Sequence, residues 1–130
     1  MSTFPPKQLV VSGEMFNFAS EKTIKLMEAM TLQHLQRVAQ TVMPSGSEVW
    51  LYGSRARGTN RADSDWDILI LLDKEKLLQD DFGKVGYPFE EMAWDFDECV
   101  SPVLYTKHEW AARKGTPFYQ NVEHDKIRVL

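Results

Sequence analysis

Two aspartates separated by one residue, Asp65 and Asp67, open an apolar run, and a Gly-Ser pair, Gly53-Ser54, closes the shorter run before it. Successive side chains on a strand point to opposite faces, so Asp65 and Asp67 aim the same way and Trp66 aims the other. Two ionised carboxylates held side by side repel, and one pKa rises unless a cation neutralises them. Hard oxygen ligands at this spacing suit Mg2+, which keeps several waters and is commonly held by one or two carboxylates plus substrate phosphates. Gly53 permits backbone angles closed to other residues and a close approach of a ligand to the main chain. Ser54 adds a hydroxyl and an amide. Arg55, Ala56 and Arg57 are helix formers that stop at Gly58. A strand feeding a short helix leaves free N–H groups at the helix start, which attract phosphate. Arg55 and Arg57 are candidate phosphate contacts, because guanidinium pairs with phosphate oxygens, although only one of them need face the site and either could lie on a solvated helix face. The pattern predicts a phosphate cradle beside a metal-binding carboxylate pair.

The flanking residues predict the elements that hold this pair. Val49–Tyr52 is rich in β-formers and reads as a strand; Gly58–Ser64 is a polar loop; Asp65–Leu72 is a second strand. Its ILILL run suggests cover on both faces. Upstream, residues 1–18 read as an irregular arm. An amphipathic helix is predicted from Ser20 to Val42, with Ile24, Met27, Met30, Leu32, Leu35, Val38 and Val42 at helical spacing before the breaker Pro44-Ser45-Gly46. Downstream, a short helix is expected from Asp73 through Leu78. A further helical pattern covers residues 80–96 with a break at Gly86 and Pro88. Glu98–Thr106 is a third strand, and Pro102 inside it argues for an edge position or a bulge. Helices are then expected from Lys107 to near Gly115 and from Pro117 to about Asp125, followed by a tail, Ile127–Leu130. The fold class is α/β or α+β with three strands.

A chain of 130 residues fits one domain, residues 1–130, with a modest core. A net charge of −4 gives no bulk support for nucleic-acid binding. The single cysteine, Cys99, excludes an internal disulfide and fits a reducing, cytoplasmic setting. The start lacks a signal-peptide pattern, and no apolar run approaches membrane-spanning length. His108, His124 and Cys99 have no partner at metal-ligand spacing, and no base is placed to make Ser54 a nucleophile.

Gly53-Ser54-Arg55-Ala56-Arg57-Gly58 followed by Ser64-Asp65-Trp66-Asp67 resembles the signature of the nucleotidyltransferase superfamily, the polymerase-β-like fold, and the short length resembles its minimal nucleotidyltransferase branch. The resemblance implies a small mixed sheet with helices packed on it. It implies Mg2+-dependent transfer of a nucleoside monophosphate from a triphosphate, ATP for choice, to an acceptor hydroxyl. Asp65 and Asp67 would hold two Mg2+ ions, and Gly53 and Ser54 the triphosphate. The family usually carries a third carboxylate on a later strand. Its place falls on Ser101, which cannot do that work, so Glu98 at the start of that strand is the candidate, with Asp97 beside it facing the other way. Minimal members resemble the antitoxin half of a toxin–antitoxin pair, whose partner is a helical HEPN-type protein modified by adenylylation. The alternative is a catalytically weak nucleotide- or partner-binding module of the same fold.

Overall fold

The computed structural model describes residues 29–130. The arm expected over residues 1–18, and the first part of the helix expected from Ser20, lie outside these residues.

Helix α1 spans Leu32–Val42. Residues 29–31, which the predicted helix included, are not helical. Thr31 is extended (φ −132°, ψ 172°). Its N–H donates to His34 Nδ1 at 2.9 Å, and the N–H of His34 returns to the Thr31 carbonyl at 3.0 Å. These bonds satisfy groups that a helix start leaves open. At the other end Met43 is extended, as the residue before a proline prefers.

Strand β1 (Glu48–Tyr52) pairs antiparallel with β2 (Trp66–Leu72), from Glu48 opposite Leu71 to Tyr52 opposite Asp67. Between them lie a short helix, α2 (Ser54–Arg57), and the loop to Asp65. A π-helical turn, Phe82–Gly86, runs into α3 (Tyr87–Trp94), with Pro88 in the first turn, where its missing N–H costs nothing. The predicted break at Gly86 and Pro88 is thus a change of helix type. Strand β3 (Val100–Thr106) pairs parallel with β2, and the long connection through α3 supplies the crossover that parallel pairing requires. Helices α4 (Lys107–Ala111) and α5 (Pro117–Asp125) follow. The expected tail instead gives a two-residue strand, β4 (Ile127–Arg128), antiparallel to β1. The sheet order is β3-β2-β1-β4, so Pro102 lies on an edge strand.

Strand β2 is covered on both faces. Ile68, Ile70 and Leu72 pack with Val49, Leu51, Leu35, Val85, Phe89 and Ala93, while Leu69 and Leu71 pack with Trp110 and Val122. Helices α1 and α3 therefore cover one face, and α4 and α5 the other. The second face also carries Trp50, Tyr52, Val103 and Tyr105.

The helix expected from Asp73 to Leu78 does not form; residues 73–76 are bends. Asp81, itself buried, accepts the Leu78 N–H at 2.6 Å and the Lys74 ammonium at 2.9 Å, a side-chain alternative to helical bonding. The Leu78 N–H, and then Lys74, hold the Asp81 carboxyl below the usual aspartate range. A lowered folded pKa contributes stability that is complete above the unfolded value, about 3.9, and is lost as pH falls through the folded one. Asp81→Asn is therefore expected to lower urea stability at pH 7, with the deficit shrinking by pH 3.

Thr106 is fully buried where β3 meets α4. Its Oγ1 accepts the Glu109 N–H and its own N–H donates to Glu109 Oε1, both at 3.0 Å. This reciprocal capping box predicts that Thr106→Ala costs about 1–2 kcal/mol in chemical denaturation.

Candidate active site

The site lies where β1 hands over to α2. Tyr52 is the last residue of β1 and faces Asp67 across the antiparallel ladder. Gly53 follows with φ 78° and ψ −160°, a region essentially restricted to glycine. A Cβ there would lie 2.5 Å from Asp67 Oδ2. The absence of a side chain thus lets the main chain turn directly against the carboxylate. Helix α2 begins at Ser54. The N–H groups of Ala56 and Arg57 return to the Gly53 carbonyl at 3.0 and 3.1 Å. Those of Ser54 and Arg55, at the helix start, have no intrahelical acceptor by position.

Asp65 is exposed and stands just before β2; Asp67 is half-buried within it. Ser101 of β3 pairs with Asp67 in the parallel register, and its hydroxyl donates to Asp65 Oδ2 at 2.9 Å. Asp65, Asp67, Ser101 and Tyr52 therefore share one face of the sheet. Burial pushes the Asp67 carboxyl up, the charge on Asp65 pushes it further, and Arg57 opposes both. Burial, with Asp67 and then Tyr105, pushes the Tyr52 phenol up to about 12, so it stays protonated at neutral pH.

The two arginines diverge. Arg57 is 48% exposed and donates to Asp125 Oδ2 at 2.6 Å; Asp125, from the end of α5, is only 7% exposed. Arg57 is the arginine whose charge reaches Asp67. Arg55 turns the other way. Its guanidinium lies 4.6 Å from the Trp66 ring centre. Its Nε and Nη2 donate to the Ser64 carbonyl at 3.2 and 2.9 Å, and Nη2 also reaches the Ala62 carbonyl and Glu98 Oε1, each at 3.2 Å. Trp66 Nε1 donates to the same Glu98 oxygen at 3.3 Å.

Two expectations change as a result. Glu98 is engaged by groups on the Trp66 face of β2, opposite the face that presents Asp67, and Arg55 is committed to main-chain carbonyls rather than open to phosphate. Asp97, the neighbouring candidate, is exposed and takes a positive φ of 56°, which aspartate tolerates better than most residues. Among the described residues no group of three or more His, Cys, Asp and Glu side chains is placed to hold a metal ion. The pair that is present fits a hard divalent cation whose remaining ligands are water and phosphate: two carboxylates share one face, and one is raised partly by the other. Tyr52 and Asp125 were not singled out from the sequence. The helix and loop between β1 and β2 leave their register open in the sequence, so nothing local pairs Tyr52 with Asp67. Asp125 lies 68 residues from Arg57 and carries no local signal.

A family model described as a nucleotidyltransferase domain matches residues 32–115. A search among curated proteins finds no match. Among solved structures, one described as a toxin–antitoxin with AMP-PNP is similar, with a TM-score of 0.55 at 19% identity over 78% of this chain and 73% of that one. At that identity the likeness concerns the fold, a small mixed sheet with helices on both faces. The family match runs over more than half of the chain and includes the Gly-Ser turn and both aspartates; the chain belongs to the nucleotidyltransferase domain family.

Proposed function

We propose that this protein is a Mg2+-dependent nucleotidyltransferase that moves a nucleoside monophosphate from ATP to an acceptor hydroxyl on a partner protein. The observation that supports this reading is that Gly53 turns so close to the Asp67 carboxylate that a Cβ there would lie 2.5 Å from it, with Asp65 on the same face. On this reading the turn would bind phosphate directly beside the carboxylate pair. Asp65 and Asp67 would hold Mg2+, which would neutralise charge on the transferring phosphoryl group. Gly53 keeps the main chain close to the carboxylates. Ser54 offers its amide and hydroxyl to the phosphates. Arg57, anchored by Asp125 yet half-exposed, supplies positive charge beside the same turn. Tyr52 can donate a hydrogen bond but is no base near neutral pH.

The partner reading rests on the toxin–antitoxin likeness together with the family. A helical HEPN-type protein is the partner class proposed, in the cytoplasm. Among the described residues no helix is long and apolar enough to cross a membrane.

A second reading is favoured by a specific observation. Ser101, not an acid, sits against the carboxylate pair. A site with two acids would bind nucleotide and transfer it slowly, so the chain would act as a nucleotide- or partner-binding module. Incubation with labelled ATP, Mg2+ and the products of neighbouring genes separates the two. The enzyme labels one of those proteins and releases pyrophosphate. The module shows only an ATP- and Mg2+-dependent rise in melting temperature.

A further inference from the structure

Asp65 is exposed and lies outside the strand that fixes Asp67, so something else must hold it on the shared face. Two devices do so. From β3, the Ser101 hydroxyl binds its carboxylate. From the opposite face of β2, the Arg55 guanidinium grips the main chain immediately before it. Arg55 is only 12% exposed. It lies over Trp66, bonds to Glu98, and donates to the carbonyls of Ala62 and Ser64. Trp66 is in turn bonded to Glu98. The Ser64 carbonyl belongs to the peptide unit that leads into Asp65.

We propose that Arg55 is a positioning residue, with Glu98 as its anchor, and that together they hold the Ala62–Ser64 main chain so that Asp65 presents its carboxylate beside Asp67. The acid two residues before β3 thus acts through an arginine on the far face of the sheet. This rests on the reading of Asp65 and Asp67 as a metal-binding pair. The chemistry is that of an outer-shell support: a ligand held in place loses less freedom on binding, and loss of such a support typically costs about 10–100-fold in metal affinity or activity. Lysine cannot replace it, because one ammonium cannot reach two carbonyls and a carboxylate with a planar fork while lying flat on an indole.

The test uses the full chain and its Arg55→Lys, Arg55→Ala and Glu98→Gln variants, with three readouts. Mg2+ titration of the melting temperature is expected to need about 10-fold more Mg2+ for half-effect in Arg55→Lys, and more again in Arg55→Ala. Amide hydrogen exchange over residues 58–65 is expected to speed up in the same order, while the rest of β2 stays protected. In the transfer assay, kcat should fall and the Mg2+ requirement rise, with KM for ATP unchanged; Glu98→Gln should do the same in milder form. The proposal is overturned if Arg55→Lys raises KM for ATP with its Mg2+ requirement unchanged, which would make Arg55 a phosphate contact. It is also overturned if Arg55→Ala leaves loop exchange unchanged. If the unsubstituted protein neither transfers nucleotide nor responds to Mg2+, the metal-site reading fails, while the exchange experiment still reports on whether Arg55 holds the loop.

Discussion

Asp67→Asn is expected to abolish nucleotidyl transfer, lowering kcat/KM by at least about 10³-fold, while the chain remains folded. The magnitude follows from the task assigned to the residue: a metal-held phosphoryl group gains several kcal/mol of charge stabilisation, and about 4 kcal/mol corresponds to 10³ in rate. The fold is expected to survive because asparagine keeps the shape of aspartate and removes a charge that burial and Asp65 both oppose. In the absence of Mg2+ the variant should melt no lower than the parent. Addition of Mg2+ should raise the melting temperature of the parent and not that of the variant. Retention of more than about a tenth of the activity would remove Asp67 from the metal site, since no such loss of charge stabilisation is then felt.

The second large effect is at the turn. Gly53→Ala is expected to lose about 1–3 kcal/mol of stability from backbone strain, because φ 78° with ψ −160° is nearly closed to a residue with a Cβ. The new methyl group would also begin 2.5 Å from Asp67 Oδ2, so the carboxylate or the turn must shift. A displacement of about 1 Å in a positioned group can cost about 100-fold in rate. The joint signature is a lowered urea midpoint with a steep loss of kcat. The Gly58→Ala control separates strain from the clash. Gly58 also has a positive φ of 77°, but a Cβ there meets nothing within 4 Å. It should lose some stability and retain most of the activity.

The parts of the site legible in the sequence are those whose physics is local. A glycine that ends a β-rich run and an Asp-x-Asp that begins another carry their geometry in their own spacing, because alternation on a strand is fixed by covalent structure. What was not legible depends on partners distant in the chain. Glu98 and Asp67 are 31 positions apart, and only the parallel register of β3 on β2 places Val100 opposite Trp66 and Ser101 opposite Asp67. Nothing near Arg55 announces that its fork is taken up by the carbonyls of residues seven and nine positions on. The fold follows the same division. The two-sided burial of ILILL and the edge placement of Pro102 were readable from residue type. The non-helical start at Thr31 and the bends after Asp73 go with side-chain acceptors, on His34 and Asp81, that compete with helical hydrogen bonding. The pairing of Ile127 with Leu51 and of Arg128 with Trp50 joins residues 76 and 78 positions apart and leaves no periodic trace in a two-residue strand.

The strict alternation of Asp65, Trp66 and Asp67 makes the chemistry sensitive to reading frame rather than to spacing. Residues can be inserted or removed around Thr59 or Asn60 without changing which side of the sheet an acid occupies. Deleting Asp67 alone would shift Asp65 and Trp66 by one place each, turning a carboxylate toward Glu98 and an indole toward Ser101, where it offers no oxygen to a cation.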